Sequence, residues 1–383
     1  MGILCLIVLF ILSIVYPKSK LLTCILAVFM VLTYGLNSYS GDYSAYEMAY
    51  NSESIQHMLS FRHYEPLYSI LMAICKMVNL NFTGFRIVLA ILFVSMLVKG
   101  IIYYTEETAK VLALYLVFPF TYFVSVLRAG LASVVILYVS RYLCNDTKEE
   151  KLKYIIGTGV AFLLHYSSIL FLFALISKKR MKTRTVISIF LLSAILAYLY
   201  NYTNLIGSVL GMITGREKTV AWGSLSDVQV NLNIKGLLIP TIVIMSGLFF
   251  IKGIRNSIRE KDNSLYNFLH GETVQKPSRI TEAEFAYGLY YLAILLLPFL
   301  ITNHTWLRII WEILVFVFIA YTNLGSEYRI SEGQKLGRIR LRMVVLSVWI
   351  VILYLYGSGF PSIDAISEFL AYFGRNNFLF CLI

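Results

Sequence analysis

Long apolar runs recur along almost the whole chain, and they limit its fold more than any other feature of the sequence. A helix needs roughly 20 mostly apolar residues to cross the hydrocarbon core of a bilayer. The candidate spans are residues 3–16, 21–36, 66–80, 85–104, 111–127, 129–144, 154–177, 185–200, 234–251, 285–301, 306–323 and 342–357. The sequence therefore predicts a helical chain that crosses a membrane repeatedly.

The composition excludes several soluble domains, which a chain of 383 residues would otherwise suggest. Hydrophobic residues make up 58% of the chain and charged residues 14%, whereas soluble proteins average about 45–50% and about 25%. We expect an all-α fold, with residues 1–383 forming a single multi-pass membrane domain of about 11–13 transmembrane helices. The first apolar run lacks the features of a cleaved signal peptide, which predicts a retained span.

The positive charges predict which loops face the cytoplasm. The net charge of +12 is typical of a membrane protein whose cytoplasmic loops are rich in lysine and arginine, so we expect no nucleic-acid partner. This rule places residues 178–184, 252–284 and 325–341 in the cytoplasm. Residues 37–64 and 201–233 then lie outside.

One polar segment, residues 145–153, decides the topology of the first half of the chain. The charge rule favours a cytoplasmic position for this lysine-rich segment. That position requires one segment between residues 66 and 127 not to cross fully, and residues 154–177 to enter the membrane and return near His165. Irregular backbone at membrane depth is tolerated where it lines a wet cavity. We favour this arrangement, in which some spans are re-entrant.

Tyrosines beside a carboxylate in the first outer loop indicate a surface that could bind sugars. Tyr43, Tyr46 and Tyr50 follow one another at i, i+3 and i+7, which places them on one face of a helix. Asp42 directly precedes them. The alternative is a helix that its tyrosines anchor at the membrane interface, with Asp42 acting only as its cap.

Three further polar residues lie within or beside apolar runs, where such residues are generally functional. Glu65 precedes Pro66 at the start of a span and is either a general base or a carboxylate that only stabilises the helix dipole. Arg128 is either an anion-binding residue or a snorkelling arginine. His165 either contacts a phosphate and shuttles a proton, or bonds to a neighbouring helix.

Further outer cations are Arg216, Lys218, His304 and Arg308, and Glu312 follows Arg308 by one helical turn and offers it an ion pair. The sequence contains no phosphate-binding loop, zinc-protease motif or serine-nucleophile motif. The five cysteines are isolated, and no cluster of acids and histidines suits a tightly held metal. We therefore expect neither a metal nor a cofactor.

The order of these motifs resembles that of a known family. The chain carries GDYSAYEMAY in its first outer loop, followed by YEPLYSIL, LRAGLASVVILY, the basic stretch KEEKLKY and AFLLHYSSILFLFALI. This series, over residues 38–177, resembles the EpsG-like branch of the Wzy family of bacterial exopolysaccharide, capsule and O-antigen polymerases. Residues 178–383 resemble the family only in layout. Ala129 replaces the glutamine that the family typically has after its arginine.

The resemblance implies a fold that is GT-C-like in outline and a glycosyltransferase without metal or cofactor. Such an enzyme transfers the growing glycan from undecaprenyl pyrophosphate to a new lipid-linked repeat unit, on the outer face of the cytoplasmic membrane. The partners implied are these two lipid-linked oligosaccharides, the membrane lipids and, as a candidate, a chain-length regulator protein.

The resemblance also implies roles for the residues identified above. Arg128 and His165 would stabilise the pyrophosphate leaving group, Glu65 or Asp42 would act as the base, and tyrosines would stack on sugar rings. The catalytic candidates are Glu65, Asp42, Arg128 and His165, and the substrate-binding candidates are Tyr43, Tyr46, Arg216, Lys218, His304 and Arg308.

Two other functions use the same residue types. A flippase or transporter of lipid-linked oligosaccharides would hold a pyrophosphate with the same cations, but the sequence shows no convincing internal repeat, which transporters commonly have. A membrane acyltransferase that modifies polysaccharide would use a histidine such as His165, which lacks a supporting acid at short spacing in the sequence.

Overall fold

The computed structural model describes residues 2–38, 42–61, 63–144, 147–177, 183–202, 241–242, 244–255, 282–300, 307–326 and 373. The helices are α1 (Gly2–Val15), α2 (Lys20–Gly35), α3 (Tyr43–Ser52), α4 (Ile55–Met58), α5 (Pro66–Met77), α6 (Phe82–Tyr104), α7 (Thr108–Val117), α8 (Phe120–Ser125), α9 (Leu127–Ser140), α10 (Lys148–Leu164), α11 (Ala174–Ser177), α12 (Thr183–Tyr202), α13 (Glu282–Leu300) and α14 (Leu307–Ser326). Short 3-10 segments cover Arg141–Leu143 and Tyr166–Phe173. The described residues contain no strand, which confirms the all-α prediction for this part of the chain.

The helix lengths bear on the predicted membrane spans. Within the described residues, α6 is long and apolar enough to cross a bilayer, with 23 residues. The shorter apolar helices include α1, α2, α5 and α7. A multi-pass arrangement of about 11–13 spans, each of roughly 20 residues, therefore stays a prediction, and the candidate span 342–357 lies outside the described residues.

The run 111–127 is two helices, so its prediction as one span is wrong. Helix α7 ends at Val117 and α8 begins at Phe120. Pro119 lies between them and contributes no backbone N–H, so it cannot continue the hydrogen-bond ladder of α7. The topology with residues 145–153 in the cytoplasm stays a prediction.

The chain reverses at His165, as the sequence analysis predicted for the run 154–177. Helix α10 ends at Leu164, and His165 adopts an extended conformation with φ of −157° and ψ of 119°. The Tyr154 hydroxyl donates a hydrogen bond to the carbonyl oxygen of Phe171 at 2.7 Å. Because Tyr154 precedes the reversal and Phe171 follows it, the two arms lie side by side and His165 is at the tip.

Helix α9 is the centre of the described core. It is buried along most of its length and packs against both α6 and α10. At Gly157 of α10, a Cβ atom would overlap the side chain of Val139, so the absence of a side chain lets α10 approach α9 closely. This contact fixes the relative position of Arg128, near the start of α9, and His165, at the end of α10.

Candidate functional site

Three residues distant in sequence meet at one end of the helix bundle. Glu65 is the residue before α5, Arg128 is the second residue of α9, and His165 directly follows α10. One Glu65 oxygen, Oε2, accepts a hydrogen bond from Arg128 Nη1 at 2.5 Å. The other, Oε1, lies 3.3 Å from His165 Nδ1. A single carboxylate therefore bridges a guanidinium and an imidazole.

The local sequence explains why the Glu65 carboxylate is available for these contacts. Pro66 occupies the first turn of α5, a position where its missing N–H is not needed. The Glu65 side chain forms no capping hydrogen bond with its own helix, so both oxygens face the neighbouring elements. The side chain is 3% exposed, against 23% for Arg128 and 17% for His165. We call Glu65, Arg128 and His165 the Glu65 triad. Arg128 and His165 are thus the members of this triad that substrate molecules can reach.

Two tyrosines surround the Arg128 guanidinium. Arg128 Nε donates to the Tyr46 hydroxyl at 3.3 Å, and the guanidinium carbon lies 5.8 Å from the centre of the Tyr46 ring and 5.0 Å from that of Tyr64. The two rings are stacked, with centroids 6.1 Å apart. Tyr64 was not among the residues predicted from the sequence, although its position directly before Glu65 was a usable signal.

Burial raises the pKa of Tyr64 to about 12. Its hydroxyl therefore stays protonated at neutral pH and can donate a hydrogen bond to a sugar or phosphate oxygen. The opposing effect of nearby Arg128, which favours the ionised phenolate, is smaller than that of burial.

The other tyrosines of α3 pack on α6 rather than beside Arg128. Tyr43 contacts Phe82 edge-on at 5.2 Å between centroids, and its hydroxyl donates to Glu47 at 3.3 Å. Tyr50 is buried and donates to the carbonyl oxygen of Leu80 at 2.8 Å. Of the three tyrosines expected on one face, Tyr46 is therefore the one that reaches the Glu65 triad.

Asp42 is the N-cap residue of α3, but its side chain forms no capping hydrogen bond with the helix. The structure therefore does not support the alternative in which the Asp42 side chain serves only to cap α3. Asp42 lies within electrostatic range of Tyr122, and the Tyr122 hydroxyl accepts a hydrogen bond from Arg308 Nε at 2.9 Å. Arg308, the second residue of α14, also lies within electrostatic range of His165. Asp42 and Arg308 therefore line the same end of the bundle as the triad.

The ion pair that the spacing offered to Glu312 is not formed. Arg308 bonds to Tyr122 instead, and within the described part of the chain neither carboxylate oxygen of Glu312 has a hydrogen-bond partner. The Glu312 residue is 3% exposed. Arg128, which had no acid near it in sequence, has one in the fold.

Three predicted substrate-binding residues, Arg216, Lys218 and His304, lie outside the described residues. One carboxylate and two histidines that are not adjacent in the sequence lie close together between α3 and α5. Glu53, His57 and His63 present ligand atoms that all lie within 4.8 Å of one another. Their spacing of four and six residues matches no common zinc motif, so the sequence gave little signal for this cluster.

Helix dipoles add to the positive charge of the site. Helices α5, α9 and α14 all begin near it, and a helix N-terminus carries a partial positive charge and free N–H groups. Together with Arg128 and Arg308 they favour an anion such as a phosphate. An imidazole bonded to a buried carboxylate is a common arrangement for proton transfer. Anion binding and proton abstraction are thus available at one place.

The sequence model described as the EpsG family matches residues 20–270. The match includes every member of the Glu65 triad and extends beyond the motif series of residues 38–177. No protein of curated function matches the chain. No solved structure matches it either.

Proposed function

The chain belongs to the EpsG family, membrane proteins of exopolysaccharide polymerisation, and from this premise we propose a polymerase that acts on lipid-linked repeat units. The growing glycan is transferred from undecaprenyl pyrophosphate to a new lipid-linked unit at the outer face of the cytoplasmic membrane. The observation that carries the proposal is the bridging of Arg128 and His165 by the Glu65 carboxylate.

In this proposal His165 is the general base. In the tautomer that donates its Nδ1–H to Glu65, Nε2 carries a free lone pair. Nε2 takes the proton of the acceptor hydroxyl, and the hydroxyl oxygen forms a bond to the anomeric carbon of the donor. The Glu65 carboxylate stabilises the imidazolium that results. Glu65, one of the two bases predicted from the sequence, is thereby reassigned to orienting His165, because its oxygens are already engaged and almost inaccessible.

The bond between the anomeric carbon and the phosphate oxygen breaks, and its electron pair leaves with undecaprenyl pyrophosphate. The negative charge that develops there is stabilised by Arg128 and Arg308 and by the N-termini of α9 and α14. The stacked rings of Tyr46 and Tyr64 support the sugars, and ring contacts of this kind tolerate different sugar types. Every residue given a role in these steps lies in the part of the chain that the structure describes.

The decisive experiment uses the purified full-length protein with a defined lipid-linked oligosaccharide. We expect a ladder of polymer lengths on a gel for the wild type, and single repeat units for Arg128→Ala and His165→Asn. Glu106→Gln is the matched control, because this exposed carboxylate pairs with Lys18 at the opposite end of α6. Long polymer at wild-type levels from both site variants would sink the proposal.

The outward orientation of the site is tested by cysteine labelling in a variant without the native cysteines. Asp42→Cys lies at the site end of the bundle and Glu106→Cys at the other. We expect a membrane-impermeant thiol reagent to label Asp42→Cys in intact cells, and Glu106→Cys only after the membrane is opened. The reverse pattern would place the site on the cytoplasmic face and exclude the proposed orientation.

A polysaccharide acyltransferase is the second candidate, because Glu65 supplies the supporting acid that His165 lacks in sequence. The same purified protein separates the two functions. Transfer of an acyl group without lengthening of the glycan would favour the acyltransferase, whereas a polymer ladder without an acyl donor favours the polymerase.

A further inference from the structure

We propose that Glu53, His57 and His63 form a binding site for a divalent transition-metal ion of the zinc class. The site lies in the first outer loop, between α3 and Glu65, and is distinct from the triad. It goes beyond the proposed polymerase function, whose chemistry does not require it.

The geometry of the three side chains favours a shared ion over a simple pair. The His57 Nδ1 atom lies 3.6 Å from Glu53 Oε2, beyond the 3.2 Å typical of a hydrogen bond. The His57 and His63 rings lie 4.9 Å apart between centroids. One carboxylate and two imidazoles thus converge on a small volume, and all three can offer a lone pair to a cation.

The backbone around the cluster is held in place by bonds that do not involve the three side chains. Lys76 Nζ donates to the carbonyl oxygens of Tyr50, Asn51 and Glu53 at 2.8, 3.2 and 2.5 Å. The Ser54 hydroxyl accepts the backbone N–H of His57 at 3.2 Å. A fixed backbone lowers the entropic cost of closing three ligands around an ion.

The distances require only a small closure. In tetrahedral coordination, zinc–nitrogen and zinc–oxygen bonds of about 2.0–2.2 Å place ligand atoms roughly 3.4 Å apart, so the atoms of the cluster, which lie within 4.8 Å of one another, must approach by up to about 1.4 Å. The His57 side chain is 43% exposed, so it can rotate inward without repacking the core. Two imidazoles and one carboxylate suit zinc and its neighbours, whereas magnesium and calcium prefer oxygen ligands.

A bound ion would position the residues that follow the loop. His63 is separated from Glu65 only by Tyr64, and Glu53 acts electrostatically on Tyr64. The ion would tie the end of α3 to the chain that enters α5. Three protein ligands also leave a fourth position for water or a substrate oxygen.

The test uses full-length protein carrying a tag without histidines, stripped with a chelator and titrated with Zn²⁺ alone. Bound metal is measured by elemental analysis after desalting, and affinity by competition with a chromogenic chelator. We expect about one ion per chain, as for a single three-ligand site. The double variant His57→Ala/His63→Ala should lose this binding, and Glu47→Gln, a carboxylate of α3 outside the cluster, should keep it.

A conservative variant guards against loss of binding through misfolding. His63→Gln retains a polar side chain of similar size. We expect the Zn²⁺ affinity of this variant to fall by about 10- to 100-fold or more, because removing even a residue that only supports a metal ligand causes a loss of that size. Absence of saturable binding by the wild type, or equal binding by the double variant, would overturn the proposal. No lipid-linked substrate enters this measurement, so its failure is distinguishable from failure of the polymerase proposal.

Discussion

Glu65 and Glu312 occupy two regions that look alike in sequence and differ in the fold. Both glutamates lie near the start of an apolar helix and are almost inaccessible, at 2% and 3% exposure. Glu312 has an arginine one turn away on its own helix, yet neither of its oxygens is hydrogen-bonded within the described residues. Glu65 is bonded to Arg128, which lies 63 residues away in the sequence.

The difference teaches that sequence proximity is a weak guide to pairing when a tertiary partner is available. An i,i+4 ion pair on a helix contributes only about 0.2–0.5 kcal/mol. A hydrogen bond from a charged group to a well-placed acceptor contributes roughly 1.5–3 kcal/mol. Arg308 accordingly bonds to Tyr122, and Glu312 has no hydrogen-bond partner among the described residues. The packing of α14 against other helices, rather than the spacing of residues along α14, decides which residue the Arg308 guanidinium binds.

The largest effect is expected for Glu65→Gln. The amide cannot stabilise an imidazolium, and Arg128 loses its counter-charge, so we expect polymer formation to fall about 10²–10³-fold. We also expect the free energy of unfolding to fall by about 2–3 kcal/mol, less than the roughly 3–5 kcal/mol of a fully buried pair, because Arg128 retains 23% exposure. Gel ladders and thermal unfolding in detergent measure the two effects; unchanged values for both would remove Glu65 from the site.

An intermediate effect is expected for Arg128→Lys. A lysine keeps the charge but lacks the planar fork of the guanidinium, in which Nε reaches Tyr46 and Nη1 reaches Glu65 from separate positions. We expect a loss of roughly 10–10²-fold in polymer formation, somewhat below the cost of removing an oxyanion donor outright. The matched control is Arg308→Lys, where the single bond to Tyr122 is replaceable. A larger loss at Arg308 than at Arg128 would reverse the assignment of the main anion-binding residue.

The smallest effect is expected for Glu312→Gln. The carboxyl group has no hydrogen bond to lose within the described part of the chain, so we expect the free energy of unfolding to change by less than about 1 kcal/mol and polymer formation to stay within a few-fold of the wild type. The same two measurements apply. A loss as large as that of Glu65→Gln would show that the two glutamates are functionally equivalent, contrary to the difference in their contacts.

Local signals in the sequence predicted much of the site. Polar residues in apolar surroundings identified Glu65, Arg128 and His165, and the extended break at His165 matches the reversal inferred from the charge rule. The split of the run 111–127 was missed, although Pro119 gave a local reason for it. The proximity of Glu53, His57 and His63 was missed because their four- and six-residue spacings acquire meaning only once α4 and the loop after it are folded.

The sequence by itself determined that this chain is an all-helical membrane protein of the EpsG family, since apolar runs, helix-start residues and motifs act over short stretches. Only the tertiary structure decided which charges meet. Glu65 contacts Arg128, 63 residues away, and His165, 100 residues away. Arg308 donates a hydrogen bond to Tyr122, 186 residues away. The packing of α9 against α10 brings Arg128 and His165 to the Glu65 carboxylate, where burial makes an unpaired charge costly.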